Sequence, residues 1–174
     1  TVTTFNSGWI FHPAFSSDLI ASLGTGAPVR LPHNAVDLEL NYFDENSFQK
    51  AFAYQKVLAW DSAFQGKEVA LVFDGAMADS VVWINGKEAG SHRDGYTPFV
   101  IRLNDYLEPG DNLITVKVDG TENPEIPPFG GQIDYLTYAG IYRDVWLKVT
   151  DPVSIGQVKV ETGNEMSDAK SVSV

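Results

Sequence analysis

The chain has 174 residues, 44% of them hydrophobic, and its 12 Lys and Arg stand against 23 Asp and Glu, a formal net charge of −11. This length suits one sizeable domain, or one domain with part of another, and is too short for a complete (β/α)₈ barrel of about 250 residues. The negative charge disfavours nucleic acid and membrane surfaces as partners. The absence of cysteine excludes disulfides, thiolate zinc sites and thiol catalysis, while leaving the cellular compartment open.

The first fifty residues are irregular, with loops predicted over Gly24–Pro28 and Asn34–Asn46 and at most one helical turn over Asp18–Leu23. From Tyr54 onward, short β-branched and aromatic runs alternate with Gly, Pro, Asn and Asp, which is typical of strands joined by turns. The predicted strands are Tyr54–Ala59, Val69–Phe73, Val81–Ile84, Phe99–Leu103, Leu113–Val118 and Val145–Val149. This pattern predicts an all-β sandwich of the jelly-roll or Ig-like type.

Two turns are specific enough to predict in detail. Asn85-Gly86 follows a strand and predicts a type I′ turn, because both residues tolerate the positive φ that this turn requires. Pro109–Asn112 predicts a second turn before the strand Leu113–Val118. In that strand the alternating residues Ile114, Val116 and Val118 share one face, which we expect to face the core.

The segments that flank the last predicted sandwich strand indicate how the chain is organised. The Gly120–Tyr138 loop is rich in proline and glycine, and loops of this length in a compact domain are often functional. After Asp151-Pro152, further strands are predicted over Ser154–Glu161 and Lys170–Val174. We therefore expect one domain over residues 1–151 and the start of a second, incomplete domain over residues 152–174.

The titratable residues show no catalytic pattern. The candidate carboxylates in or beside loops are Asp74, Asp79, Asp94, Glu122, Glu125 and Asp134. Their spacing places no two of them at the separation that glycoside hydrolysis needs. His12, His33 and His92 lie far apart and lack a zinc-binding spacing, so we predict structural or surface roles for them. No serine-nucleophile elbow or phosphate-binding loop is present in the sequence.

The chain is rich in aromatic residues, whose faces stack on the apolar faces of sugars. Trp83 and Trp146 lie in predicted strands and are expected in the core. Aromatic residues in loops are better candidates for binding a ligand. These candidates are Tyr42, Phe43, Phe129, Tyr135 and Tyr138.

The segment from Asp134 to Leu147 reads D-Y-L-T-Y-A-G-I-Y-R-D-V-W-L. It resembles the D-x-x-x-Y-A-G-I-x-R-x-V-x-L signature of the amino-terminal domain of glycoside hydrolase family 2, which includes β-galactosidases, β-glucuronidases and β-mannosidases. Other segments resemble family motifs in the same order, namely Phe5–Phe11, Leu31–Asn34, Val82–Lys87 and Asp94–Phe99. Asn34 stands where the family more often has an acidic residue. The resemblance extends over about residues 5–150.

The resemblance implies a jelly-roll, galactose-binding-domain-like sandwich, followed by an Ig-like domain and a catalytic barrel. Residues 152–174 would then be the first strands of the Ig-like domain. In the family both catalytic glutamates lie in the barrel, so no catalytic residue is expected here and this fragment alone should be inactive. The partners implied are a carbohydrate substrate and the two other domains of the same chain, with an oligomer compatible with the full-length enzyme.

The resemblance also points to particular site residues. The family's aspartate at the position of Asp134 contacts the non-reducing-end sugar, directly or through a cation, so Asp134 and its neighbour Tyr135 are predicted to bind substrate. Asn41 is a weaker candidate, because its surroundings depart from the Y-x-N-x-x-Y-P stretch of one galactosidase subgroup. No cofactor is predicted for this fragment beyond such a cation in the full-length enzyme. Gly140 is expected to allow a tight bend and Arg143 to form a structural ion pair, with Asp144 at the surface.

Two functional hypotheses remain open at this point. In the first, the chain is an accessory domain of a retaining exo-β-glycosidase, most similar to a β-galactosidase, with β-glucuronidase and β-mannosidase as alternatives. In the second, it is an autonomous carbohydrate-binding module. The acidic, proline-rich Gly120–Tyr138 loop favours docking over another domain, whereas an autonomous module more often presents a planar row of exposed aromatic residues.

Overall fold

The computed structural model describes residues 1–37, 39, 41, 44–131, 135, 137–156 and 158–174, with the backbone but not the side chain of Glu45. The strands are β1 Val2–Thr4, β2 Trp9–His12, β3 Ala27–Val29, β4 Ala51–Ala59, β5 Glu68–Phe73, β6 Asp79–Ile84, β7 Lys87–Arg93, β8 Phe99–Arg102, β9 Asp111–Asp119, β10 Val145–Thr150, β11 Glu161–Gly163 and β12 Ser171–Ser173. Short 3₁₀ helices occupy Ser17–Ile20, Glu45–Phe48 and Ser62–Phe64. Within these described ranges, no helix has the length and apolar character needed to cross a membrane.

The strands form two large antiparallel sheets. One sheet has the order β1-β10-β5-β8 and the other has the order β3-β2-β4-β9-β6-β7. From β4 onward the chain crosses repeatedly between the two sheets, as it does in a jelly roll. The predicted all-β sandwich fold is confirmed.

The core lies between the two sheets. Leu71 and Phe73 of β5 belong to the same buried cluster as Ile114, Val116 and Val118 of β9. The three β9 residues are completely buried, so the predicted core face of this strand is confirmed. Alternation of buried and partly exposed residues along β5 and β6 shows that each strand has one face in the core and one outside.

All six strands predicted for the sandwich are present, but the four strands β1, β2, β3 and β7 were not predicted. β1 and β3 have only three residues each, and β7 is a polar edge strand, so none carries the alternating apolar pattern. β3 also corrects the predicted loop Gly24–Pro28, since Ala27 and Pro28 pair with β2. Pro28 is tolerated because β3 lies at the edge of its sheet.

Both predicted turns occur, and the second leads to an unexpected burial. Asn85 and Gly86 have φ values of 51° and 82°, as the type I′ turn between β6 and β7 requires. Asn112, which the sequence suggested was a turn residue, is the second residue of β9 and is completely buried. Its side-chain oxygen accepts a hydrogen bond from Asn85 Nδ2 at 2.8 Å, so the two turns are joined by their amides.

The region after β10 has less regular structure than predicted. β11 and β12 pair with each other, and the pairings described for them join neither strand to the large sheets. Of the predicted strand Ser154–Glu161, only Glu161 lies in β11, and Gln157 lies outside the described residues. Val153 is 93% exposed, although valine is usually buried in a folded domain. The assignment of residues 152–174 to a second domain stays a prediction.

Candidate functional site

The predicted site lies only partly within the described residues. Asp134, the main candidate for sugar binding, lies outside them. Tyr135 is 56% exposed, and its hydroxyl lies 2.8 Å from the hydroxyl of Tyr96. Asn41 is exposed in a bend, and the hydrogen bonds described include none between it and Tyr135. The structure therefore brings Tyr135 together with Tyr96, a residue that was not among the sequence candidates.

Tyr96 lies in a turn that precedes β8, the Asp94–Thr97 turn. The Asp94 carboxylate closes this turn by accepting hydrogen bonds from the backbone N–H of Tyr96 at 2.7 Å and of Thr97 at 3.3 Å. Aspartate commonly stabilises turns in this way, because its short side chain reaches the backbone two residues ahead. Asp94 is thus a local structural residue, and its carboxylate is engaged within its own turn.

The segment that follows the Asp134 position holds the same turn from the other side. Tyr142 Oη donates a hydrogen bond to the carbonyl of Gly95 at 2.6 Å. Arg143 Nη1 donates to the carbonyl of Tyr96 at 2.8 Å and to that of Asp74 at 3.3 Å. These bonds tie the Asp94–Thr97 turn to the family signature that ends in β10.

The Asp94–Thr97 turn also packs against the Gly120–Tyr138 loop. The backbone N–H of Gly95 donates to the carbonyl of Pro127 at 3.0 Å, and a Cβ at Gly95 would lie 2.3 Å from the Met77 sulfur. Met77 and Ile126 form a small buried cluster against which the Tyr96 and Tyr142 rings pack. A side chain at position 95 would therefore require the Met77 side chain to move.

Two predictions about the signature need correction. Arg143 binds backbone carbonyls and lies over the Tyr142 ring at 5.2 Å, and no salt bridge to it is found among the described residues. Asp144 is half-buried and accepts a hydrogen bond from Asn6 Nδ2 at 2.7 Å, whereas the sequence suggested a surface residue. Asn6 in turn accepts a hydrogen bond from the backbone N–H of Val145. Asn6 therefore joins the Phe5–Phe11 motif to the start of β10.

The segment that begins with the Leu31–Asn34 motif pairs along its backbone with residues 139–141 of the signature. The N–H of His33 donates to the carbonyl of Ile141 at 2.9 Å, and the N–H of Ala35 donates to that of Ala139 at 2.8 Å. Between them Asn34 accepts from the Ala139 N–H and donates to the Val36 carbonyl, each at 2.8 Å. An aspartate at position 34 could accept the first of these bonds but could not donate the second.

The predicted bend at Gly140 is confirmed by its φ of 82°. A Cβ at this position would lie 2.1 Å from the Tyr54 hydroxyl and 3.1 Å from the Ala35 Cβ. Tyr54 is completely buried, and its hydroxyl lies 2.9 Å from Nδ1 of His33. The glycine therefore allows both the backbone conformation and the close packing of the two motifs.

The three histidines have structural surroundings. Burial lowers the pKa of His33, and the negative charge of Asp37 opposes this shift. His12 is buried with its Nε2 3.0 Å from Gln55 Oε1, and His92 stacks on Phe99 with ring centroids 4.5 Å apart. Within the described ranges, no group of three His, Asp or Glu residues could hold a metal ion. A cation beside Asp134 stays a prediction, because that residue lies outside these ranges.

The placement of Trp83 and Trp146 differs from prediction. Both are half-buried and lie on the outer faces of their sheets. Trp83 alternates with buried neighbours in β6 and stacks on Phe15 at 5.7 Å, while Trp146 Nε1 donates to the Asp74 carboxylate at 2.8 Å. The prediction was wrong because alternation in a strand sends every second side chain outward, whatever its size.

The loop aromatics that the structure describes are exposed. Tyr138 is 58% exposed and stacks on Tyr142 with ring centroids 5.0 Å apart. Phe129 is also exposed, while Tyr42 and Phe43 lie outside the described residues. Exposed aromatic faces are thus present near Tyr135, although ligand contact by any of them stays a prediction.

The cavity beneath this loop is small. It has a volume of about 20 Å³ and is lined by residues that include Met77, Ile126 and Thr137. A space of this size holds about one water molecule and is far smaller than a typical ligand pocket of about 300 Å³ or more. This cavity therefore cannot enclose a sugar.

Residues 31–152 match the family model described as "Glycosyl hydrolases family 2, sugar binding domain". The chain belongs to glycosyl hydrolase family 2. This match covers the Asp94–Thr97 turn, the Gly120–Tyr138 loop and the signature that ends in β10. The exposed loop and its supports are therefore part of the family 2 sugar-binding domain.

Curated relatives of this family 2 domain are full-length enzymes. It is 54% identical to a β-galactosidase of Rhizobium meliloti, over 100% of this chain and 23% of that protein. It is 38% identical to a β-galactosidase of Thermoanaerobacterium thermosulfurigenes, over 99% of this chain and 25% of that protein. A β-glucuronidase of Bacteroides fragilis is 34% identical over 86% of the chain and 21% of its own length. The chain thus spans about a quarter of the length of these relatives.

Solved structures support the same assignment. β-Glucuronidase 2 of Bacteroides uniformis matches with a TM-score of 0.76 and 26% identity, over 87% of this chain and 18% of that one. A β-glucuronidase of an uncultured Clostridium species matches with a TM-score of 0.81 over 95% of this chain and 31% of that one. Its identity of 21% supports the fold alone. The family 2 domain thus has the β-sandwich of glycosidase N-terminal domains.

Proposed function

We propose that the chain is the non-catalytic N-terminal domain of a retaining exo-β-glycosidase that hydrolyses terminal non-reducing β-D-galactosides. In this proposal Asp134 supplies a carboxylate to the sugar pocket, and the domain supports a catalytic barrel in the same polypeptide. The observation that carries the proposal is the exposed side chain of Tyr135, whose hydroxyl lies 2.8 Å from that of Tyr96, with a cavity of only about 20 Å³ at the neighbouring Met77 and Ile126. An exposed aromatic side chain beside so small a cavity supports a site that another domain completes.

A galactoside is favoured over a glucuronide on two grounds. The two β-galactosidases named above are 54% and 38% identical to the chain, compared with 34% for the β-glucuronidase of Bacteroides fragilis. A glucuronide carries a carboxylate, which a domain of net charge −11 and a pocket carboxylate at Asp134 would both repel. Arg143 is the one cationic residue of the signature, and its guanidinium already donates to the backbone carbonyls of Asp74 and Tyr96.

The role proposed for Asp134 is substrate positioning. A carboxylate can accept hydrogen bonds from two adjacent sugar hydroxyls, and such charge-assisted bonds are stronger than neutral ones. Contacts to non-reacting hydroxyls orient the scissile bond and supply binding energy that lowers the barrier to hydrolysis. The chemical step would need a pair of carboxyl groups about 5–5.5 Å apart, which we assign to the barrel. The fragment alone should therefore be inactive.

Replacing Asp134 with alanine in the full-length enzyme should lower kcat/KM for a galactoside at least tenfold, roughly 1.4 kcal/mol of transition-state stabilisation. The fold should be retained, because aspartate is seldom part of a hydrophobic core. Steady-state kinetics with an aryl β-galactoside provide the measurement. Asp105→Ala is the matched control, since Asp105 is an exposed aspartate in the turn after β8. Unchanged kinetics in Asp134→Ala would remove the assignment of this site.

A second candidate function is autonomous glycan binding, which the exposure of Tyr135, Tyr138 and Phe129 favours. An NMR titration of the 174-residue chain with millimolar galactose, glucuronate, mannose and lactose separates the two. We expect no saturable shift with any of these sugars, because the pocket is incomplete without the barrel. Saturable shifts confined to the loop aromatics would instead establish an independent binding module.

A further inference from the structure

We propose that Tyr96 is a positioning residue for sugar binding, because its hydroxyl holds Tyr135, the residue that follows Asp134. This inference rests on the proposed function of the loop and adds a residue that neither the family match nor the sequence candidates single out. Tyr142 and Arg143 support this positioning role, because they bind the backbone carbonyls of Gly95 and Tyr96.

The backbone of Gly95 and Tyr96 is fixed by four hydrogen bonds. Asp94 caps its N–H, Arg143 binds its carbonyl, and Tyr142 binds the carbonyl of the preceding Gly95. The N–H of Gly95 is bound by the carbonyl of Pro127. With these four groups anchored to two other segments and to the turn itself, Tyr96 has little freedom to move relative to the sandwich.

The Tyr96 side chain reaches Tyr135, one of the two residues predicted to bind sugar in this loop. Its ring packs against the buried Met77 and Ile126 cluster, while its hydroxyl lies 2.8 Å from that of Tyr135. Tyr135 is itself 56% exposed, so packing alone holds it weakly. Adjacent Cα atoms are about 3.8 Å apart, and fixing Tyr135 therefore limits where the carboxylate of residue 134 can be placed.

The protonation of the pair is compatible with this role. Burial and the hydrogen bond with Tyr135 both raise the pKa of Tyr96 above its ordinary value of 10.0. The Tyr96 hydroxyl therefore remains protonated at neutral pH and can donate to the Tyr135 oxygen. The bond does not depend on a change of charge and should hold the loop over the whole neutral range.

Tyr96→Phe removes the hydroxyl and leaves the ring that packs on Met77. A hydrogen bond of this kind contributes about 0.5–1.5 kcal/mol, so KM for a galactoside in the full-length enzyme should rise about twofold to twelvefold. The change in kcat should be smaller, because the barrel carboxylates are untouched. Tyr106→Phe, which removes a hydroxyl from a half-buried tyrosine near Asn85 at the far end of β6, should leave KM unchanged.

Double variants separate positioning from a general loss of structure. If the hydroxyl pair acts as a unit, Tyr135→Phe should match Tyr96→Phe, and combining the two should raise KM no further. Tyr96→Phe should also have little additional effect in an Asp134→Ala background. A merely structural role would leave the effect of Tyr96→Phe undiminished in the Asp134→Ala background, and that outcome or an unchanged KM in Tyr96→Phe would overturn the inference.

The same set of variants distinguishes the failure of this inference from the failure of the proposed function. If Asp134→Ala lowers kcat/KM while Tyr96→Phe does not raise KM, the loop binds sugar and Tyr96 does not position it. If Asp134→Ala leaves the kinetics unchanged, the proposed site fails, and the positioning role fails with it.

Discussion

Replacing Gly140 with alanine should lower the free energy of unfolding by about 3 kcal/mol or more. A left-handed backbone costs an alanine roughly 1–2 kcal/mol, and at φ 82° position 140 has such a backbone. The added Cβ would also lie 2.1 Å from the hydroxyl of Tyr54, which is completely buried and has no space into which to move. Overpacking of this kind typically costs about 1–3 kcal/mol more. Urea unfolding of the variant and the wild type measures the difference.

Gly66 provides the matched control for this prediction. It has a φ of 70°, and a Cβ there would meet nothing within 4 Å, so Gly66→Ala should cost only about 1 kcal/mol. Combining Gly140→Ala with Tyr54→Phe removes the clashing oxygen and should cost less than the sum of the two single changes. Equal losses for Gly140→Ala and Gly66→Ala would show that the Tyr54 contact contributes nothing.

Asn112→Ala should lower the free energy of unfolding by about 3 kcal/mol. The Asn112 side-chain oxygen accepts from the N–H of Glu108 at 2.7 Å and from Asn85 Nδ2 at 2.8 Å, and its amide donates to the carbonyls of Glu108 at 2.9 Å and Gly110 at 3.1 Å. Each polar group left buried without a partner costs about 1–3 kcal/mol. Some relaxation of the turn will recover part of this loss, and thermal or urea unfolding will report the remainder.

Asn104→Ala is the corresponding control at an exposed site. Asn104 accepts a hydrogen bond from the Val69 N–H at 2.9 Å and donates to the Lys67 carbonyl at 2.6 Å, but solvent reaches it. Water can replace both bonds, so the loss should be about 1 kcal/mol or less. If Asn112→Ala proved no more costly than Asn104→Ala, burial of the amide would not be what makes it important.

Regular alternation made most of the fold predictable. The strand β9 carries Ile114, Val116 and Val118 on one face, and this period alone identified both the strand and its core side. The polar edge strand β7 has no such signal, because neither of its faces is fully buried. For Trp146 the prediction relied on the size of the side chain and not on alternation, and the register of β10 places this residue on the outer face of its sheet.

The site was less accessible to prediction than the fold. The signature around Asp134 could be recognised as a string, but the contacts of its last residues depend on which distant loop lies beside them. Arg143 reaches a turn that precedes it by 47 positions, and local sequence carries no record of that proximity. The signal that could have found Tyr96 was the Asp94-Gly95-Tyr96 motif, in which an aspartate and a glycine indicate a turn built around the following residue.

The pairing of β1 with β10 determines when the domain can finish folding during synthesis. Thr4 pairs with Trp146, so the first strand has no neighbour until almost the whole domain has left the ribosome, an interval on the order of ten seconds. Until then β5 has only β8 beside it, and its other edge can pair with strands of other nascent chains. Pairing of β10 with both β1 and β5 removes this open edge, so closure of the sheet by its last strand also ends the exposure of the domain to such misassembly.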